Sequence, residues 1–576
     1  MKKKPQKNGP NAESAVAHDS TRGLSIGAWV GIGFAALLAV VLVYSSALGA
    51  PFVFDDQSQI FMDPNASAIP LSGWVTLNRG LTSFSYWVNY RLGGTDPLGY
   101  HWFSLLLHFA SAVLVTLIVR KLLTLSGTIG VGRDSLSAFC GLVFLLHPLQ
   151  TEAVTYVASR SEVLAVFFLW AAFGHFLWRK CPVGSWYDGV VVLLLFGLAC
   201  LSKEYSVVFP AVLLLADYYW NPGFTFSGIR GNWRIYGPIA LAAVAALALV
   251  LKILSLSGTV GFGFKDLSSA DYFLTQCRVI WIYVFKFVIP IGQTIDYDLS
   301  VTRSFGDPAA ILGLVGLIAA TVAAIVFRKQ YPLASYGWIV FLVLLAPTSS
   351  VLPIRDVIVE RRVYLPSLGL LLIAVDFLRR VRWTHTTQAL LVVVVLGFAY
   401  LTSARNAVWS SAEGLWRDAA AKAPNKSRPH FQLARILYGN GQFDGSAAEY
   451  EAAARTGGLD YTLLLNWGLA LDDAGKTKEA LEKLNQSAQM SPSAHVYSQI
   501  ARVYGRSNQD EKALEALAQV ERIDPRFDMG YVYRGNIYLN QGDPVRAAAE
   551  YNRALSINPS NPSALEGLRI AAKNRR

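Results

Sequence analysis

Two adjacent carboxylates, Asp55 and Asp56, stand just past the first apolar block, in Phe52-Val53-Phe54-Asp55-Asp56-Gln57. Charged groups are costly beside a bilayer, so a pair of them there points to function. Either can take the proton of an acceptor hydroxyl as a general base. The blander reading is a solvated loop start or a helix cap. Further on, polar residues interrupt apolar stretches at His147-Pro148-Leu149-Gln150-Thr151-Glu152 and at Ser159-Arg160-Ser161-Glu162. They do so again at Ser202-Lys203-Glu204-Tyr205 and at Glu360-Arg361-Arg362-Val363-Tyr364. Arginine and lysine at such places suit a phosphate head group, which makes Arg160, Lys203, Arg361 and Arg362 candidates to hold one. Each also has a plain structural reading. Lys203 and Glu204 could flank a helix end, Arg362 could anchor an interface, and His147 is as readily a packed histidine. Asp55 and Asp56 could bind a divalent cation, but no further carboxylates lie at convincing spacing, so neither a metal nor another cofactor is expected.

The elements that must position these groups are apolar helices. Of 576 residues 53% are hydrophobic and 16% charged, against about a quarter charged in soluble domains. The excess sits before residue 405. Candidate spans are 26–48, 101–119, 136–149, 161–178, 187–201, 205–219, 236–254, 309–327, 333–347, 364–378 and 387–403. That is about eleven, some shorter than the ~20 residues a bilayer needs. The net charge of +12 comes from pairs beside these blocks, such as Arg120-Lys121, Arg179-Lys180, Arg328-Lys329 and Arg379-Arg380. Such a distribution marks cytoplasmic loops rather than nucleic-acid binding. With the tail 1–25 in the cytoplasm, alternate loops carry the positives and the polar motifs above all face the same side as Asp55. The block 273–291 holds Arg278 and Lys286 and would invert later loops if it crossed, so it reads as an in-plane or re-entrant helix. The four cysteines lie in or beside apolar blocks and have no metal spacing.

From 406 to 576 the composition is that of a soluble domain. Pro424, Pro492, Pro525 and Pro559 are spaced by 68, 33 and 34 residues, with Gly468, Gly475, Gly535, Gly542, Ala480, Ala513, Ala547 and Ala554 between them. Small residues let paired helices approach, and proline stops the second helix of each pair. The pattern resembles the tetratricopeptide repeat, with four repeats between Pro429 and Pro559. The expected fold is therefore all-α: a polytopic membrane bundle over 26–405, with a first extracytoplasmic loop at 51–100, then a tetratricopeptide α-solenoid.

At this point the chain resembles the transmembrane and tetratricopeptide repeat-containing O-mannosyltransferases, membrane glycosyltransferases of the GT-C class. The resembling stretches are Phe52 to Asp56, Arg79 to Thr82, Leu92 to Gly94 with Gly99 to His101, and His147 to Ala153. They continue with Ser202 to Glu204, Asp296-Tyr297 and Glu360 to Ser367, in the family's order. The resemblance implies a polyprenyl-phosphate sugar donor, an inverting transfer on the extracytoplasmic face, and a first-loop aspartate as base. Asp55 is favoured for that role, with Asp56 supporting it. It also implies substrate contacts from Arg79, His147, Glu152, Glu204, Glu360 and Tyr364, and an acceptor protein recruited by the repeats. The departures are a short repeat array and Gln150 where animal relatives often have histidine. A bacterial inner-membrane location with periplasmic repeats fits this reading. Two other classes compete. A transporter should show two related halves, and none is visible here. A scaffold for envelope assembly needs only one span.

Overall fold

The computed structural model describes the chain from Gly23 to Asn574, apart from residues 76–78, 257–259, 263, 265 and 383. The expected cytoplasmic tail lies outside the described residues up to position 22. The rest forms two compact units, one ending at Leu415 and the other starting at Trp416. The border falls beyond residue 405 because the last apolar helix, His385–Trp409, runs on and buries Arg405, Asn406 and Trp409 in the first unit.

Every apolar segment expected to span is helical. Among the described residues six helices are long and apolar enough to cross a bilayer: Ile26–Ala47, Pro97–Leu125, Val157–Trp178, Trp233–Lys252, Pro308–Val326 and His385–Trp409. A seventh counts if Gly130–Leu146 and Pro148–Thr155, bent by 49°, are one span. Trp186–Cys200, Pro332–Leu345 and Ser367–Leu378 are apolar but have only 10–17 residues. The chain is thus a multi-pass membrane protein, and by length and composition the expected eleven spans stand at six or seven. The shorter helices stop where polar motifs interrupt them, which leaves them below the ~20 residues of a full crossing.

Hydrogen bonds sort the connecting segments into two ends. At the first, called the basic end, Asp134 accepts from Arg120, Arg133 and the Leu24 N–H. Arg379 donates to the Ser126 carbonyl there, and Arg380 to the Gln330 carbonyl. Arg179 reaches Asp217 at 2.9 Å, and Asn232 and Tyr236 bond the same carboxylate. At the second, the loop end, Tyr86 bonds the Val157 carbonyl, Thr82 the Ser202 carbonyl and Gln293 the Pro148 carbonyl. Helices of the middle pack closely between the ends. A Cβ on Gly337 would lie 2.4 Å from the Gly369 carbonyl oxygen, and the reverse holds for Gly369, so only glycine lets Pro332–Leu345 and Ser367–Leu378 touch along their backbones.

Helix Ser269–Val288 behaves differently. Tyr272 near its start bonds the Thr348 carbonyl, Tyr283 bonds Val359, and the Phe287 carbonyl near its end meets His147. Both ends are tied to the loop end, so the helix runs along that end rather than away from it. Its Arg278 bonds Thr302, and its Lys286 bonds the Ile291 and Gly292 carbonyls, so both charges are satisfied beside the helix.

The second unit stacks four antiparallel helix pairs: Ser427–Gly439 with Phe443–Gly457, Tyr461–Asp473 with Thr477–Met490, Ala494–Arg506 with Asp510–Ile523, and Asp528–Asn540 with Pro544–Ile557. Helix Pro562–Asn574 follows as a cap. The signature residues act as the pattern requires: Ala480, Ala513, Ala547 and Ala554 are buried between partners. The turns at Gly475 and Gly542 need the left-handed φ of 79° and 76° that glycine tolerates.

Candidate active site at the loop end

The centre of the loop end is a stretch of irregular backbone. Between Leu146 and Arg160 the chain breaks into short turns, Pro148–Gln150, Thr151–Thr155 and Val157–Ser159, nearly all of it buried. Irregular backbone at membrane depth is tolerated where protein surrounds it or where it lines a cavity. Pro148 stops the preceding helix, because it supplies no N–H for the helical ladder.

The first loop packs over this break on an aromatic core of Phe61, Trp74, Tyr86 and Tyr100. It is fastened by Asp56. One carboxylate oxygen accepts the Val53 N–H at 3.1 Å and the other the Ala158 N–H at 2.6 Å. Asp56 is 1% exposed, and its burial pushes the carboxyl up to about 7, against the pull of those two N–H groups. Phe54, with a left-handed φ of 49°, opens the short 3-10 helix Phe54–Ser58, whose three residues per turn set neighbouring side chains about 120° apart. Asp55 accordingly faces out. Its N–H donates to the Tyr156 hydroxyl at 2.9 Å, its carbonyl accepts from Ser58 and Gln59, and its carboxylate is exposed.

Tyr156 and then three ion pairs continue from Asp55. Tyr156 lies within electrostatic reach of Asp55, Asp56 and Arg361, with the Arg361 guanidinium 5.8 Å from its ring centre. Arg361 pairs with Glu152, which accepts from its guanidinium at 2.5 Å and from its backbone N–H at 3.1 Å. Burial works against the Arg361 charge, but Glu152 more than restores it and holds the group above its ordinary value. Lys203 pairs with Glu162 at 3.0 Å and also feels Arg79, Glu204 and Arg361. Burial, helped by the two arginines, lowers the Lys203 ammonium below its usual range. Arg79 grips Glu204 with two bonds, at 2.7 and 3.2 Å. Burial raises the Glu204 carboxyl, but Arg79 and Lys203 outweigh it and hold the group at about 2. The series Asp55, Tyr156, Arg361, Lys203 and Arg79 thus forms one ionic strip. Its three cations are partly exposed at their side chains, by 25%, 15% and 40%.

Not every expected residue joins the strip. Arg160 is fully buried in a cage of Tyr86, Tyr100 and Phe103 rings, and donates to Ser85 and the Tyr100 carbonyl. Arg362 spends its donors on the Asp356 and Val357 carbonyls and on Tyr272, so it braces its own loop. Glu360 organises residues 293–297: it accepts from Gln293, the Thr294 N–H and Tyr297. His147 accepts the Leu149 N–H on Nδ1, bonds the Phe287 carbonyl through Nε2 and stacks on the Phe287 ring. Tyr364 is 0% exposed and bonds His108 in the helix core. In place of these, Tyr156 and Glu162 enter the strip. Glu162 was visible in the polar motif Ser159 to Glu162; Tyr156 carried no signal. Among the described residues no three His, Cys, Asp or Glu side chains group as a metal site would require.

Fold and strip together define a class: a multi-pass membrane protein with an ionic site at one end of its bundle, continued by tetratricopeptide repeats. Models of the tetratricopeptide repeat match residues 431–495, 494–527 and 529–561. Along the chain, the homologues are proteins named protein O-mannosyl-transferase. F38B6.6 of Caenorhabditis elegans is 23% identical over 70% of this chain and 59% of its own length. TMTC3 of Homo sapiens is 22% identical over 91% of this chain and 64% of its own, and TMTC3 of Mus musculus 24% over 91% and 63%. The chain spans about three fifths of the length of these relatives. The repeats are also similar to the crystal structure of YrrB, described as a TPR protein with an unusual peptide-binding site. That match has 19% identity and a TM-score of 0.25, and covers 30% of this chain and 89% of that one.

Proposed function

We propose that this chain is an inverting membrane glycosyltransferase of the GT-C class. It transfers mannose or another hexose from a polyprenyl-phosphate donor to hydroxyl groups of a protein held by the repeats. The observation that carries this reading is the exposed Asp55 carboxylate, set beside Tyr156 and the Arg361–Lys203–Arg79 strip, in a chain similar to protein O-mannosyl-transferases over 91% of its length. The acceptor hydroxyl attacks the anomeric carbon on the face opposite the phosphate. Asp55 takes its proton as the new C–O bond forms. The bond from sugar to phosphate breaks, and the lipid phosphate leaves with the electron pair. Arg361, Lys203 and Arg79 stabilise the charge that develops on that phosphate. The carboxylates Glu152, Glu162 and Glu204 keep those cations fixed in direction beforehand, so little reorganisation is needed during the reaction. No step requires a metal. The basic end faces the cytoplasm by the usual bias of Lys and Arg. The loop end and the repeats then face away from the cytoplasm, which in a bacterium is the periplasm.

The test uses the full chain in lipid vesicles with polyprenyl-phosphate-mannose and candidate envelope proteins as acceptors. Mannosylated acceptor detected by mass spectrometry, dependent on residues 429–576, is the expected result. No transfer to any acceptor, together with loss of envelope assembly when the repeats are deleted, favours the scaffold instead. A reporter active only in the cytoplasm, fused after Arg576, should be silent; strong signal overturns the topology.

A further inference from the structure

The basic end holds a groove that the proposed transfer does not use. It measures about 550 Å³, within the ~300–1,000 Å³ of ordinary ligand sites. One wall is the last turns of helix Pro308–Val326, where Ala320, Ala323 and Ala324 leave room. The other walls are Trp338, Tyr331 and Phe377. Two of the polar groups around it are already satisfied by protein. Trp338 Nε1 donates to Thr321 Oγ1 at 3.0 Å, and Ser335 Oγ donates to the Ala324 carbonyl at 2.5 Å. The rest of the lining is mostly apolar, with the Gln330 amide and the Tyr331 hydroxyl as its other polar groups. Phe327 and Phe377, at the rim, are 51% and 53% exposed.

The rim is also strongly basic. Across residues 328–334 and 376–382 five cations, Arg328, Lys329, Arg379, Arg380 and Arg382, stand against one carboxylate, Asp376. Asp376 is already taken by Arg379, Arg380 and the Ala334 N–H. Arg328 is half-buried and donates to the Ile325 carbonyl, but its Nε has no partner. Among the described residues no carboxylate pairs with Arg328, Lys329 or Arg382. An apolar slot between membrane helices with unneutralised cations at its mouth suits one occupant, a lipid with an anionic head group.

We infer that this groove is a binding site for an anionic phospholipid, with an acyl chain along Ala320, Ala323 and Ala324 and the head-group phosphate at Arg328 and Lys329. It rests on the membrane reading of the chain and not on its transferase chemistry. The basic turn Phe327–Tyr331 sits over the chain slot, so charge and apolar surface select the same molecule. A zwitterionic lipid offers the same chain without net charge, and glycerol phosphate offers the charge without the chain.

The experiment is native mass spectrometry of the full chain in detergent, titrated with phosphatidylglycerol, with phosphatidylcholine of the same acyl chains, and with glycerol phosphate. We expect phosphatidylglycerol to be retained at least tenfold more strongly than phosphatidylcholine, and glycerol phosphate not to displace it. Arg328→Gln with Lys329→Gln should remove the preference for the anionic lipid. Ala323→Trp should remove the bound lipid altogether while thermal unfolding in detergent stays at the parent temperature. If Ala323→Trp misfolds, Ala320→Leu, a smaller filling, is expected to weaken retention of phosphatidylglycerol. Equal retention of the two lipids, preference surviving in the double variant, lipid retained when the groove is filled, or displacement by glycerol phosphate overturns the site.

Discussion

The two ends of the bundle hold the same kinds of residues and use them differently. At the basic end Asp134, Asp217 and Asp376 are each 0–1% exposed and each accepts from several groups at once, bridging neighbouring segments. At the loop end Glu152, Glu162 and Glu204 each hold one cation, that cation is partly exposed, and no cation among the described residues pairs with Asp55. Carboxylates surrounded by donors are joints. Cations held from behind, with a bare carboxylate beside them, leave capacity for a ligand. On the proposed function, that difference separates structure from chemistry where residue type alone does not.

The sharpest way to break this comparison is Asp55→Asn. The amide keeps the shape and cannot take a proton, so transfer should fall at least ~100-fold, with thermal unfolding in detergent unchanged. Parent-level transfer by this variant would return Asp55 to the class of solvated loop residues. Next comes Arg361→Ala, which should lower transfer tenfold or more, because a charged hydrogen bond is worth ~1.5–3 kcal/mol. It also strands Glu152, which is 2% exposed, and losing one partner of a buried pair costs about 3–5 kcal/mol. Adding Glu152→Gln should restore unfolding temperature but not transfer. Recovery of both would make the pair a joint like those of the basic end.

At the basic end the expectation reverses. Asp376→Ala should cost about 3–5 kcal/mol of stability by leaving Arg379 and Arg380 unpaired. Transfer per folded molecule should stay at the parent rate, measured on the fraction that elutes as monodisperse protein. The last expectation concerns Asp56. Its carboxyl sits at about 7 when folded and near ~4 when unfolded, so the folded chain binds more protons between those values. Stability from this group therefore declines as pH rises from about 4 to about 7 and is level above that. Asp56→Asn should flatten that part of the pH profile in a thermal shift series. It should also loosen the first loop to protease, since one amide oxygen cannot serve both the Val53 and Ala158 N–H groups.

Much of this fold was legible from the chain alone. Apolar blocks mark helices because a bilayer admits little else, and the Pro and small-residue register marks the paired helices of the repeats. The adjacent Asp55 and Asp56 were legible as a pair, but which one is buried and which exposed depends on the short 3-10 helix Phe54–Ser58, which no residue type announces. His147, Tyr364 and Arg362 were misleading for one reason. A polar residue in an apolar stretch looks the same whether it faces a ligand or a backbone carbonyl. His147 and Arg362 bond carbonyls, and Tyr364 bonds another buried side chain. Tyr156 was invisible because its part is played through a hydroxyl that meets a backbone N–H 101 residues earlier.

The buried broken segment from His147 to Ser159 also sets a schedule for synthesis. Its Glu152 waits for Arg361, 209 residues later, and its Pro148 carbonyl waits for Gln293, 145 residues later. At ~5–20 residues per second the ribosome needs about 10–40 s to supply Arg361. For that interval Glu152 lacks its final partner, and for the earlier part of it the Pro148 carbonyl does too, although the helix before them is already made. The nascent chain must keep this part wet, or held by the insertion machinery, until the loop from Val359 to Tyr364 emerges to close it.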